Sequence, residues 1–276
     1  SQKAAGHESE EALWAPGCTY QLQPITSKNA GNLALKYKVI ISGINGSAKL
    51  NEVIDWTISG AEIGTEYHLT AGASNTLTIV GHMQESAGNE YQGLSIDGIG
   101  ITVVATQDTV ESDSINNQYD ANAKYDVDIW DGKTVTAPVD DADGVYHITS
   151  AADLVGMMNV TGNSIYKGKT IVLDNNIDLG GRTVKGIGGI STNFAGVFDG
   201  QGYTISNFKV DSTENSYYAG LFNQVSHGGT IKNLTVKNAT IVGNSMVGAV
   251  ASSLDNNAVI DNCKAIDCTL IGVKKV

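Results

Sequence analysis

Apolar residues recur at every second position along four stretches of the first half of the chain. These stretches are KYKVIISGI (36–44), VIDWTISG (53–60), NTLTIVGHM (75–83) and GIGITVVATQ (98–107). A period of two with one polar face is typical of strands in an antiparallel sheet that buries its other face. Residues 1–125 are therefore predicted to form an antiparallel β-sandwich, jelly-roll-like in type, with SAGNEYQGLSIDG (86–98) as a loop.

The pattern changes after residue 125. Residues 126–144 are polar and acidic and are interrupted by Pro138, which is typical of a linker or a cap between domains. We expect Trp130, the large apolar residue of this segment, to cap the domain that follows.

One short helix is predicted after this segment, within YHITSAADLVGMMNV (146–160). Ser150 can serve as its N-cap, with Asp153 three residues later, and Leu154, Met157 and Met158 share one face. The remainder of the chain contains only short strand-like fragments.

A fragment of the form Ile-x-Asn-apolar-x-Val/Ala occurs three times in the second half. It reads TISNFKV (204–210), TIKNLTV (230–236) and VIDNCKA (259–265), and the glycine-centred fragments FAGVF (194–198), YAGLF (218–222) and MVGAV (246–250) interleave with it. Strand-like fragments that recur in a fixed order indicate a solenoid. Residues 145–276 are therefore predicted to form a right-handed parallel β-helix with one capping helix, truncated at its C-terminus. The chain as a whole is predicted to be all-β.

The spacing of apolar residues changes from three to two at the Asn of each fragment, which requires a bend in the strand. Asn adopts the left-handed conformation more readily than other residues except Gly. We therefore place Asn207, Asn233 and Asn262 at one corner of three successive coils, stacked about 4.8 Å apart as neighbouring strands are. The next position points inward, which places Cys263 in the core.

The cysteines fit neither a disulfide framework nor a zinc site, because Cys18, Cys263 and Cys268 are an odd set without CxxC spacing. We expect buried thiols that act as small apolar residues. A bridge between Cys263 and Cys268 across a turn is the alternative.

The second half resembles a known family over roughly 130 residues. YHITSAADLVGMMN, IVLDNNIDL, FAGVFDGQGYTISNFKV, YYAGLFNQVSHGGTIKNLTV and MVGAVASS are similar to the GLUG-motif β-helices of bacterial surface and secreted proteins. The resemblance implies a stalk or an adhesive module.

The first half resembles the camelysin/TasA family over residues 11–120. EEALWAPG, NAGNLALKYKVIISG and AGNEYQGLSIDGIGITVVATQ carry this resemblance. Members are exported β-sandwich proteins of Gram-positive bacteria that assemble into fibres of the biofilm matrix. The two resemblances imply an extracellular or cell-surface location and a structural or adhesive role. The implied partners are an extracellular polymer, a glycan, a host surface protein or further copies of the chain.

The net charge of the chain makes one class of partner, nucleic acid, unexpected. The chain carries 17 basic and 29 acidic side chains, for a net charge of −12, and Arg182 is its one arginine. Nucleic acid is therefore not an expected partner.

No signal peptide and no apolar run of about 18 residues is present, so we expect no membrane insertion of this segment. Because the sequence begins at Ser1 without Met, we expect a piece of a longer protein.

Zinc proteolysis is the first enzymatic hypothesis, because camelysin itself is classed as a metalloprotease. Such a site needs two His one helical turn apart with a Glu base. The nearest string is HESEE (7–11), in which Glu11 stands where the second His is needed. The other histidines, His68, His82, His147 and His227, occur singly.

Polysaccharide cleavage or binding is the second hypothesis, by analogy with other parallel β-helices. A hydrolase needs paired carboxylates, and Asp174, Asp178 and Asp199 are candidates, although structural turn aspartates are the preferred interpretation of all three. Tyr203, Tyr217 and Tyr218 are possible ligand-facing aromatics.

Calcium is the one cofactor that the sequence suggests. Asp140, Asp141 and Asp143 are candidate ligands, and a solvated acidic run is the alternative interpretation. With no other catalytic motif present, the expected function is non-enzymatic and without a cofactor.

Overall fold

The computed structural model describes residues 14–46, 48–109, 123–162, 164–189, 191–214 and 217–273. The chain divides into two compact units, Ser1–Asp126 and Val127–Val276. Strands make up 47% of the protein and helix 6%, which confirms the predicted all-β class.

The first unit is built from antiparallel strands. They are β1 (Thr19–Gln21), β2 (Ile25–Lys28), β3 (Leu35–Gly46), β4 (Ile54–Ile58), β5 (Ala61–Glu62), β6 (Glu66–Leu69), β7 (Ser74–Leu77), β8 (Ile79–Met83) and β9 (Ile96–Gln107). The sheet orders are β1-β8-β4-β5, β6-β3-β9 and β2-β7. Short 3-10 helices at Ala48–Glu52 and Asn89–Tyr91 connect strands.

Because apolar and polar residues alternate along the strands, the apolar ones pack together in one hydrophobic cluster. β3 buries Tyr37, Val39 and Ile41, and β4 buries Ile54, Trp56 and Ile58 in the same cluster. The predicted period of two is confirmed for these strands. The buried indole N–H of Trp56 donates to Oδ1 of Asn51 at 2.8 Å, so its polar atom is satisfied.

Two local predictions for this unit are wrong. NTLTIVGHM is not one strand, because β7 pairs with β2 whereas β8 pairs with β1 and β4. The break falls at Thr78, whose N–H donates to Oγ of Ser59 at 3.2 Å instead of continuing a ladder. The stretch 86–98 is not only a loop, since it contains a 3-10 helix and the start of β9.

The second unit is a parallel β-solenoid of about four turns with one helix. Its elements are β10 (Val127–Ile129), β11 (Val145–Ile148), α1 (Ala151–Met158), β12 (Thr170–Leu173), β13 (Asn176–Val184), β14 (Val197–Asp199), β15 (Thr204–Asp211), β16 (Tyr218–Ala219), β17 (Thr230–Lys232), β18 (Thr235–Gly243), β19 (Met246–Val247), β20 (Val259–Asp261), β21 (Lys264–Ile266) and β22 (Thr269–Gly272).

Three parallel sheets form the faces of the solenoid. The first has the order β11-β12-β14-β17-β20, and the second has the order β10-β13-β15-β18-β21, with β22 also paired to β18. The third is the short pair β16-β19. Phenylalanines fill the tube: the ring centroids of Phe194 and Phe198 lie 5.1 and 5.2 Å from that of Phe222.

Helix α1 begins with the predicted capping box. The Oγ of Ser150 accepts the N–H of Asp153, and the carboxylate of Asp153 accepts the N–H of Ser150 at 3.0 Å. The segment 126–144, predicted as a linker or cap, supplies β10 to the second sheet and packs Trp130 against the solenoid core.

Candidate functional site

The three predicted Asn residues lie at two different bends of the solenoid. TISNFKV forms β15 of the second sheet, whereas TIKNLTV and VIDNCKA begin in β17 and β20 of the first sheet. β15 pairs with β18 and not with β17. Asn233 and Asn262 therefore stack at the bend between the first and second sheets, while Asn207 lies at a bend within the second. The single corner predicted for all three is wrong.

The fragments at both bends share the same sequence pattern, in which the spacing of apolar residues changes from three to two. Opposite Asn207, the register of β15 and β18 places Asn238 in TVKNATI (235–241), and the next coil places Asp267 there in KAIDCTL (264–270). Both fragments show the change of spacing from three to two, which is the signal by which the sequence could have revealed them.

The backbone explains why Asn and Asp occupy these bends. The φ angles are +54° at Asn207, +54° at Asn233, +52° at Asn238, +47° at Asn262 and +53° at Asp267. Side chains other than those of Gly, Asn and Asp are strained in this left-handed region. Each such residue turns the strand so that the next side chain points into the tube.

The glycine-centred fragments are also not equivalent. Gly220 and Gly248 follow the paired strands β16 and β19, and the N–H of Gly248 donates to the carbonyl of Ala219. Gly196 instead precedes β14 of the first sheet, and its carbonyl accepts the N–H of Thr230. FAGVF is therefore out of register with YAGLF and MVGAV.

Side-chain amides form a hydrogen-bonded ladder at each bend. At the first bend, Nδ2 of Asn233 donates to Oδ1 of Asp199 at 3.0 Å, and Nδ2 of Asn262 donates to Oδ1 of Asn233 at 2.8 Å. The second ladder repeats this one at the other bend, with Asn207 donating to Asp178 at 2.6 Å and Asn238 donating to Asn207 at 3.2 Å.

Both ladders start on an aspartate. An ionised carboxylate can only accept hydrogen bonds, so it fixes the direction in which every amide above it points. Burial raises the pKa of Asp178, and the hydrogen bonds from Gly180 and Asn207 offset this only in part. Burial acts in the same direction on Asp199, but the hydrogen bonds from Asn233 and other donors outweigh it and lower the pKa of Asp199.

The third predicted carboxylate, Asp174, belongs to a cluster around His147. Nδ1 of His147 lies 2.6 Å from Oδ2 of Asp174, and Nε2 lies 3.1 Å from Oδ2 of Asp141. The hydrogen bonds that His147 donates to the carboxylates of Asp174 and Asp141 raise the pKa of His147. Each of the three candidate hydrolase acids is thus held by contacts within the solenoid: Asp174 by His147, and Asp178 and Asp199 by the ladders.

The candidate calcium ligands are separated by their local contacts. Asp140 pairs with Lys169 at 3.4 Å, and Oδ1 of Asp141 accepts the N–H groups of Asp143 and Val145 at 2.9 Å. In the part of the chain that the structure describes, no group of three or more His, Cys, Asp or Glu is placed to hold a metal ion. The string HESEE lies outside the described residues.

The predicted tyrosines do not form one surface feature. Tyr203 packs against the solenoid core just before β15. Tyr217 is 66% exposed and Tyr218 is half-buried in β16, which belongs to a different sheet.

All three cysteines are free thiols. The Sγ of Cys263 lies 3.7 Å from the carbonyl oxygen of Ile231, and that of Cys268 lies 3.7 Å from the carbonyl oxygen of Val236, both in the preceding coil. Burial raises the pKa of the Cys263 thiol. Cys263 and Cys268 each follow a left-handed residue and so take an inward position, Cys263 in the stack of Leu234 and Cys268 in that of Ala239.

Comparison with known proteins gives one distant relative. The chain is 25% identical to halomucin of Haloquadratum walsbyi over 271 residues, a match that covers 87% of this chain and 3% of halomucin. No family model matches the chain, and no solved structure matches it significantly. None of the helices within the described ranges is long and apolar enough to cross a membrane.

Proposed function

We propose that this chain is a non-enzymatic module of an exported cell-surface protein, with a structural or adhesive role. Its partners are an extracellular polymer, a glycan or a host surface protein, and further copies of the chain. The sequence resemblance to the GLUG-motif and camelysin/TasA families supports this proposal. The 25% identity to halomucin, a protein named as a mucin, supports it as well.

The observation that carries the proposal is the exposure of apolar side chains in the coil of β20, β21 and β22, on which no further coil is stacked among the described residues. Ile260 is 36% exposed, whereas Ile231, its partner in the coil below, is fully buried. Leu270 is 50% exposed, and its partner Ile241 is fully buried. Ile260 belongs to β20 and Leu270 to β22, and both side chains face inward. Among the described residues, β20, β21 and β22 pair with a strand on one side only.

Such an edge favours association. Unpaired backbone N–H and C=O groups next to apolar side chains are a template for another chain. A further coil of the same protein, a second copy of the chain or an extended polymer segment that covers this end would remove the exposed apolar area from water. The ladders repeat from coil to coil, which suits a stiff structural element.

Sedimentation velocity over a range of concentrations tests the proposal. We expect association that rises with concentration and is weakened by Leu270→Lys, which places a charge in the exposed inward position. Thr269→Lys is the matched control, because Thr269 is the neighbouring residue of β22 and points to the other face.

Binding of mucin, of extracellular polysaccharides and of cells completes the experiment. A chain that remains monomeric at every concentration and binds none of these would refute the structural and adhesive role. Turnover of a polysaccharide would refute the non-enzymatic part alone.

A further inference from the structure

A cavity of about 380 Å³ lies in the solenoid unit, next to helix α1. Four segments form its wall: the stretch that follows β10, the last turn of α1, the end of β13 and the end of β15. Its lining residues are Trp130, Gly132, Lys133, Val135, Val155, Met158, Asn159, Thr183, Val184, Lys185 and Asp211. Its volume lies within the range of small-molecule sites, about 300–1,000 Å³.

The wall after β10 is braced by hydrogen bonds. The indole N–H of Trp130 donates to the carbonyl of Thr134 at 2.8 Å. The carboxylate of Asp131 accepts the N–H groups of Lys133 and Thr134 at 2.8 Å, and Arg182 donates to the carbonyl of Asp131 at 3.2 Å. A braced wall of this kind holds the cavity open without a ligand and lowers the entropic cost of binding.

The lining divides into an apolar part and a polar part. Trp130 supplies an aromatic surface, and the buried side chains Val155, Met158 and Val184 supply aliphatic ones. Two lysines, Lys133 and Lys185, line this cavity although the chain has only 17 basic residues and a net charge of −12. An anionic group on the ligand therefore complements the cavity.

The polar part also contains hydrogen-bond acceptors. Oδ1 of Asn159 lies 3.4 Å from Nζ of Lys185. Asp211 accepts hydrogen bonds from Lys209 at 2.9 Å and from the Thr213 hydroxyl at 2.8 Å, and a carboxylate has room for more than two. Hydroxyl groups of a ligand would donate to the remaining lone pairs of these oxygens, which a purely apolar acid would leave unused.

We propose that this cavity binds one unit of an acidic sugar, such as a hexuronic acid. The carboxylate of the sugar lies between Lys133 and Lys185, its C–H face packs on the ring of Trp130, and its hydroxyls donate to Asn159 and Asp211. The inference names a ligand class for the surface role proposed above and does not depend on self-association.

Calorimetric titration of the full chain with glucuronic and galacturonic acid, and with their short oligomers, tests this assignment. Glucose and galactose are the matched ligands, because they differ only in carrying CH₂OH in place of the carboxylate. We expect the acids to bind at least about tenfold more tightly than the neutral sugars, in line with a charge-assisted hydrogen bond to lysine.

The variants locate the site. Lys185→Gln should weaken binding of the acids by about tenfold and leave that of the neutral sugars unchanged. Lys237→Gln, on the exposed face of β18 and outside the cavity, is the matched control and should bind as the parent does. Trp130→Phe keeps an aromatic ring but removes the indole, and it should weaken all sugars together.

Three results would overturn the inference. They are equal binding of acidic and neutral sugars, no binding of either by the folded chain, and binding of benzoate as tight as that of glucuronate. The last would show that an apolar acid, and not a sugar, fits the cavity. None of these results changes the sedimentation test of self-association, so the two proposals fail separately.

Discussion

Replacing Asn233 by Val tests the assignment of the first bend. The substitution removes two ladder hydrogen bonds, the one that Asn233 donates to Asp199 at 3.0 Å and the one that it accepts from Asn262 at 2.8 Å. It also places a β-branched residue at a φ of +54°. The backbone N–H of Asn233 donates to the carbonyl of Asp261, and this bond does not depend on the side chain.

The expected loss of stability follows from these two effects. Each hydrogen bond contributes about 1 kcal/mol net, and the left-handed backbone costs a β-branched residue about 1–3 kcal/mol. Asn262 is exposed and can exchange its lost partner for water, which reduces the sum. We therefore expect Asn233→Val to lower the free energy of unfolding of the solenoid by about 2–4 kcal/mol.

Urea unfolding followed by tryptophan fluorescence measures this change. Trp130 belongs to the solenoid unit, whereas Trp14 and Trp56 belong to the first unit, so Trp130→Phe identifies the solenoid transition. Asn233→Gly separates the two effects, because Gly loses the side-chain bonds but adopts a positive φ freely. Lys237→Val, on an exposed strand position of β18, is the control and should stay within about 0.5 kcal/mol of the parent.

A double-mutant cycle decides between one corner and two. Asn233 and Asn262 share a hydrogen bond, so their substitutions should be coupled by about 1 kcal/mol. Asn233 and Asn207 share none in the structure, and their substitutions should add. Coupling of Asn233 to Asn207 instead, or an unchanged midpoint in Asn233→Val, would show that the two-bend arrangement is wrong.

Three further predictions concern other parts of the solenoid. The pKa of His147 is raised by its carboxylate partners, so this contact stabilises the protein fully below pH about 6.5 and the gain is lost as pH rises above that value; His147→Gln should remove this pH dependence from the melting temperature. Gly156→Ala should destabilise α1 strongly, because the added Cβ would overlap the carbonyl oxygen of Thr136; Ala152→Gly in the same helix is a control for propensity alone. Phe222→Ala should cost about 3–5 kcal/mol by urea unfolding, whereas Phe222→Leu should cost less. Equal losses for the last pair would contradict close packing at this position.

Local patterns predicted the elements well because their causes are local. Alternation along 36–44 and 53–60 reflects one buried face, and the structure forms β3 and β4 there. The capping box of Ser150 and Asp153 joins residues three apart, so it could be identified without knowledge of the fold. Strand β10 could not be predicted in this way, since three residues are too few to show a period and its pairing partner, β13, lies almost 50 residues further on.

Register could not be predicted, for a physical reason that the two ladders make clear. A solenoid coil must turn several times, and the same fragment serves at more than one of these turns: an apolar residue, a spacer, a left-handed Asn and another apolar residue. Asn207 and Asn233 occupy different bends in neighbouring coils. The spacing between TISNFKV and TIKNLTV is therefore the distance along the chain from one bend to the other, and not the length of one full coil. What tells the bends apart is which aspartate accepts from each Asn, Asp178 or Asp199, and that contact exists only once the coils are stacked.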